Sequence, residues 1–116
     1  MKDSLHVYKA FVTKVIDGDT IVADIDLGFS TFLHDQHLRL ARVNTPELKG
    51  ETKEAGLAAR DAVVSKILNH YVYVKTYKTG KDKYGRILAE VMTMDEDPIC
   101  INDWLLSEGF AKEFMV

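Results

Sequence analysis

Three short clusters hold the side chains best suited to chemistry in this 116-residue chain. Asp17-Gly18-Asp19-Thr20 sets two carboxylates either side of a glycine. Arg39-Leu40-Ala41-Arg42-Val43-Asn44-Thr45-Pro46-Glu47 brings guanidinium, amide, hydroxyl and carboxylate groups into one stretch. Asp82-Lys83-Tyr84-Gly85-Arg86 adds cations around a tyrosine and a glycine. Guanidinium is a permanently charged fork that matches two phosphate oxygens. Carboxylate and carbonyl oxygens suit hard cations such as Ca²⁺. A glutamate within reach of water can take its proton. Taken singly, each cluster is also an ordinary turn or loop with solvated charges. The chemistry depends on whether the fold gathers them.

The elements that must do so read as β-β-β-α-β-β-α. Residues 8–17 are rich in β-branched and aromatic side chains and predict a strand. Asp17-Gly18 is a hairpin turn signal, and 19–28 follow as a second strand with Ile21, Ala23 and Ile25 on one face. A polar loop around Gly28-Phe29-Ser30 leads to a third strand over 31–43, stopped by Pro46. Residues 52–69 predict the long helix, with Thr52 as N-cap and Ala55, Ala58, Ala59, Ala62, Val63, Lys66 and Ile67 at helical spacing. Residues 71–77 alternate as a fourth strand and 86–94 form a fifth. Asp95-Glu96-Asp97-Pro98 is a turn, and a short helix over 101–109 ends at Gly109. The expected fold is α+β, mainly β. It is a five-stranded Greek-key barrel of the OB type, with one long helix between strands 3 and 4 and a short C-terminal helix, in a single domain spanning 1–116.

Composition is globular, at 47% hydrophobic and 28% charged. No apolar run approaches the ~20 residues of a membrane span. The opening residues lack a signal peptide's apolar stretch, and Cys100 is the only cysteine, so an intracellular, cytoplasmic setting is expected. The net charge of −3 is unusual for a nucleic-acid binder, but it is unevenly spread. Residues 31–90 hold eleven Lys/Arg against seven Asp/Glu, whereas 91–116 hold one against six. The middle of the chain can present a basic face.

In this order and at these spacings the three clusters resemble the motifs of the staphylococcal nuclease-like (thermonuclease) family. The resemblance runs from about Tyr8 to Lys112 and includes Ile101-Asn102-Asp103-Trp104-Leu105-Leu106-Ser107-Glu108-Gly109-Phe110-Ala111-Lys112, similar to the family's Asn-…-Leu-…-Gly-…-Ala-Lys pattern. It implies Ca²⁺-dependent hydrolysis of DNA and/or RNA leaving 3′-phosphates, another divalent cation remaining open. By that resemblance Arg39 and Arg86 bind the scissile phosphate, and Glu47 positions or deprotonates the attacking water. Asp19, Asn44 and the Thr45 carbonyl hold the metal, and Lys83 and Tyr84 contact a terminal phosphate. The expected partner is nucleic acid, with no membrane and a monomeric chain. The alternative on the same barrel is a non-catalytic nucleic-acid-binding module. Retention of Asp19, Arg39, Glu47 and Arg86 favours the enzyme.

The chain departs from the family pattern at Asn44, where the best-studied members carry Asp. The amide keeps an oxygen but loses a charge, which predicts weaker Ca²⁺ binding. It also reads Glu113-Phe114-Met115 where those members place tyrosines, and Phe114 is expected to cap the core. By alternation Ala41 and Val43 share the face of Arg39, and Arg42 shares that of Leu38 and Leu40. Tyr71, Tyr73 and Tyr77 share a strand face expected to pack under the helices. Trp104 reads as core and Cys100 as a buried thiol. His6 and His70 read as surface or strand-edge residues. His34-Asp35-Gln36-His37 reads as a polar strand start, since it lacks further ligands at tetrahedral spacing.

Overall fold

Alternating inward residues build five strands that close on themselves. The computed structural model describes residues 6–81 and 84–114. Strands β1 (Val7–Asp17), β2 (Thr20–Gly28) and β3 (Thr31–Leu40) form a meander. A two-residue strand, β4 (Val43–Asn44), precedes helix α1 (Lys53–Ile67). Then come β5 (Tyr71–Lys81), β6 (Ile87–Thr93), helix α2 (Ile101–Ser107) and another two-residue strand, β7 (Lys112–Glu113). The barrel order is β1-β2-β3-β6-β5. β5 pairs with β1 to close it, and the β3–β6 contact alone among the barrel pairings is parallel. This is the OB-type architecture the sequence predicts.

The interior is aliphatic. Val12, Ile21, Leu38, Leu40, Val74 and Val91 are fully buried, α1 adds Val63 and Ile67, and α2 adds Ile101 and Leu105 to the same cluster. Each such side chain contributes about 1.5–3 kcal/mol relative to exposure. The buried stripe of α1 is Gly56, Ala59, Val63 and Ile67. Ala55 and Ala58, read as part of that stripe, face solvent. Thr52 occupies the N-cap position but makes no side-chain cap bond. Its hydroxyl reaches the carbonyls of Glu47 at 2.9 Å and Lys49 at 3.1 Å instead. Helix α2 ends at Gly109 (φ 79°). There the Phe110 amide returns to the Leu105 carbonyl at 2.9 Å and the Gly109 amide to Leu106 at 3.2 Å, closing a Schellman motif.

Five local expectations are corrected. Strand 3 stops at Leu40 rather than 43, because Arg42 adopts φ 69° and breaks the ladder. After the break β4 pairs with β7. The loop near residue 29 is a two-residue turn in which both Phe29 (φ 54°) and Ser30 (φ 60°) are left-handed, as a type I′ hairpin requires. It is not polar at its tip, since Leu27, Phe29, Phe32 and Leu33 are all exposed. Tyr71 and Tyr73 are exposed rather than packed under the helices, and Tyr77 is half-buried. Tyr71 meets Phe11 edge-on at 5.0 Å, and the Lys9 ammonium lies 4.7 Å from its ring. Trp104 is only partly buried, its ring tilted 43° against Phe110 at 5.8 Å with Lys66 over its face, and Cys100 is half-buried.

One buried amide fastens α2 to the barrel. Asn102 has no exposed surface. Its Oδ1 accepts the Val91 amide at 3.0 Å, and its Nδ2 donates to the carbonyls of Ala41 at 2.9 Å and Ala89 at 3.0 Å. It pins the break after β3 to β6 and to the helix at once.

Candidate active site

The β1–β2 turn, the chain after β3 and the start of β6 meet at one rim of the barrel. Gly18 permits the meeting. A Cβ there would lie 2.7 Å from Thr45 Cγ2 and 2.9 Å from the Ala59 side chain, so only glycine lets the turn press on residue 45 and α1. The Asp19 carboxylate then receives the Thr45 amide at 3.0 Å and the Thr45 hydroxyl at 3.1 Å on Oδ2, and the Thr20 hydroxyl at 3.1 Å on Oδ1. The Leu40 amide bonds the Asp19 carbonyl at 2.8 Å. Burial works to raise the Asp19 pKa. Hydrogen bonds from Asp17 and Thr45 and the charge of Arg39 outweigh it and hold the carboxyl below its ordinary range. Asp17 responds oppositely: burial, then its closeness to Asp19, pushes it up to about 6.

Arg39 is only 7% exposed, and a buried guanidinium requires partners. Nη1 donates to the Leu40 carbonyl at 2.6 Å and Nη2 to the Asn44 side-chain oxygen at 3.3 Å, and Nη2 stands 3.6 Å from Asp19 Oδ2. The ring of Phe114 lies 5.7 Å from its guanidinium carbon. Arg86, just before β6, reaches the Thr20 hydroxyl at 3.4 Å, and its guanidinium lies 5.0 Å from the Tyr84 ring. Glu47 is held through its backbone. Gly56 of α1 would put a Cβ 2.6 Å from the Glu47 carbonyl oxygen, so glycine lets the Pro46–Glu47 peptide rest on the helix. The Thr52 hydroxyl fixes the same carbonyl. The Glu47 side chain stays exposed to water.

A cleft of about 550 Å³ results, lined by Asp19, Arg39, Asn44, Thr45, Glu47, Tyr84 and Arg86 together. These are the predicted site residues that the structure describes; Lys83 lies outside the described residues. Asp17, Leu88 and Phe114 line it too. Asp17 was readable in the same Asp-Gly-Asp turn. Phe114 was readable as an aromatic following Ala-Lys, but it faces the cleft rather than capping the core. Its amide bonds the Arg42 carbonyl at 2.9 Å beside the β4–β7 pair, and 43% of it is exposed.

The donor set fits a hard cation bound partly by water. Among the described residues no three His, Cys, Asp or Glu side chains cluster to form a protein-only metal cage. Asp17, Asp19 and the Asn44 amide line an open cleft, and Ca²⁺ accepts mixed shells of carboxylate, amide and water oxygens. His34 instead pairs with Asp24 at 3.3 Å, on the β2–β3 hairpin. The cleft therefore joins two forked cations suited to one phosphate, a carboxylate open to water, and oxygen donors for a cation.

Comparison with known proteins finds relatives over most of the chain. The family model described as staphylococcal nuclease homologue matches residues 37–116. The thermonucleases of Staphylococcus intermedius and Staphylococcus hyicus are each 38% identical over 104 residues, covering 87% of this chain. The aligned region is 56% of each of those proteins, so the chain spans little more than half their length. Among the described residues no helix is long and apolar enough to cross a membrane.

Proposed function

The chain belongs to the staphylococcal nuclease family, and from that premise we propose that it is a divalent-metal-dependent nuclease cleaving phosphodiester bonds of DNA and/or RNA to 3′-phosphate products. The observation that carries the reading is the placement of Arg39 and Arg86 on one cleft with Asp19 and Glu47. A phosphodiester is already anionic, and its charge grows as water attacks. Two guanidinium groups stabilise that growing charge without depending on pH. Arg39 is held rigidly by Leu40 and Asn44, so little reorganisation is needed when the phosphate arrives. Glu47 orients the attacking water and accepts its proton as the oxygen bonds phosphorus. The bond to the 5′-oxygen breaks, and that oxygen leaves as an alkoxide that takes its proton from solvent water, while Glu47 returns its proton to solvent. The Tyr84 hydroxyl contacts a terminal phosphate. Asp19, the Asn44 side-chain oxygen and the Thr45 carbonyl would hold the cation. When bound, Ca²⁺ or a similar ion supplies Lewis-acid stabilisation and a more acidic water.

Digestion of plasmid, single-stranded DNA and RNA with Ca²⁺, with Mn²⁺ and with EDTA tests the proposal. Cleavage should need a divalent ion and leave 3′-phosphate ends. Binding without cleavage under every metal would establish the non-catalytic module instead.

Asn44→Asp should tighten Ca²⁺ binding by about tenfold, because ligand charge tunes such sites over decades. The gain is moderated by Arg39, whose Nη2 already lies 3.3 Å from the residue 44 side-chain oxygen and would pair with the new carboxylate. Calorimetric titration measures it, and no gain would move the ion away from residue 44.

A further inference from the structure

Arg39 and Asn44 are five residues apart, and in an unbroken strand they would face opposite sides. Both line the cleft and bond each other at 3.3 Å. The alternation is reset between them. Leu38, Leu40 and Val43 all point into the core, an odd step that alternation forbids. The reset happens at Arg42, whose φ of 69° is left-handed, a conformation in which a branched-off Cβ is strained. Glycine is the usual occupant, yet arginine stands here. Its side chain supplies a reason. Nε pairs with Glu90 of β6 at 3.3 Å, and Nη2 pairs with Asp103 of α2 at 2.9 Å. Glu90 also accepts the Tyr77 hydroxyl; burial first, and then this bond, pushes the Tyr77 pKa up to about 12. The Arg42 carbonyl takes the Phe114 amide. One exposed side chain thus ties β6, α2 and the reset together, with Phe114 hanging from its backbone.

We propose that Arg42 is a positioning residue for the cleft: anchored on Glu90 and Asp103, it holds the left-handed reset that swings Asn44 and Thr45 to the side of Arg39 and seats Phe114 beside that guanidinium. It touches no reacting group. The activity arm of the test rests on the nuclease reading, and the spectroscopic arm does not.

Two comparisons test it. Arg42→Ala keeps the backbone strain and loses the anchor, and should lower kcat roughly tenfold or more with a smaller change in KM, since small misplacements of a catalytic constellation are costly. Arg42→Gly loses the same charge but relieves the strain, and should recover most of that kcat. Glycine performing no better than alanine would overturn the proposal. Separately, Glu90→Gln with Asp103→Asn removes the anchors and leaves Arg42 and its neighbours intact. The amide proton of Thr45, bonded to Asp19 at 3.0 Å, should then move upfield in a ¹⁵N–¹H spectrum of the folded protein. An unmoved Thr45 resonance with a lowered melting temperature would make the network merely stabilising and overturn the proposal. Should the wild-type chain cleave nothing, the nuclease reading fails and the Thr45 resonance still decides this one.

Discussion

Arg86→Ala is expected to slow phosphodiester cleavage about a thousandfold, at the level of losing a charged stabiliser of a transferring phosphoryl group. Arg86 sits at the cleft's rim just before β6, partly exposed, and its Thr20 contact is long at 3.4 Å. Melting curves separate any loss of stability from the loss of rate. The loss belongs to kcat, because the charge it answers is greatest in the transition state. Arg86→Lys keeps the charge but not the two-pronged geometry and should fall between wild type and alanine. Glu47→Gln should behave like the alanine variant for a different reason, since the amide can hold water but cannot take its proton. Initial rates on single-stranded DNA at saturating metal, read beside melting curves, measure all three. An active Arg86→Ala enzyme would remove Arg86 from the chemistry.

Asn102→Ala is expected to destabilise the fold by about 3 kcal/mol or more, from the cost of stranding buried polar groups. It orphans the Val91 amide and takes a donor from the Ala41 carbonyl. The Ala89 carbonyl keeps the Ala41 amide at 2.9 Å and suffers less. Against a typical total of about 5–15 kcal/mol, the loss is large. Asn102→Asp should be no milder, because an ionised carboxylate cannot donate to two carbonyls. Urea unfolding with an unchanged m-value measures the effect. A loss under about 1 kcal/mol would mean that water replaces the amide.

The barrel was legible because its strands carry a two-residue period over a buried face, as at Ile21, Ala23 and Ile25, and because Asp17-Gly18 marks the β1–β2 turn and Gly109 the end of α2. The cleft was legible through the same three clusters. The break after Leu40 was not, since its left-handed residue is an arginine and gives no local signal. Its cause lies in Glu90 and Asp103, distant in sequence. Alternation told that Tyr71 and Tyr73 share a face but not which face, because that depends on the register with β1 and on where the helices settle. The side to which Phe114 turns was not legible, because β7 exists only through its pairing with β4. Gly56 carries no signal of its role in the helical spacing of α1. Its reason is the Glu47 peptide lying against it, a contact no helical period encodes.

The central claim is that one cleft receives both a cation and the phosphate to be cut. A crystal structure of the protein with Ca²⁺ and a nucleoside 3′,5′-bisphosphate tests it most directly. The account predicts an ion about 2.3–2.6 Å from oxygens of Asp19 and Thr45, with a phosphate beside it bridged by Arg39 and Arg86. A phosphate bound elsewhere, or an ion far from both arginines, would contradict it.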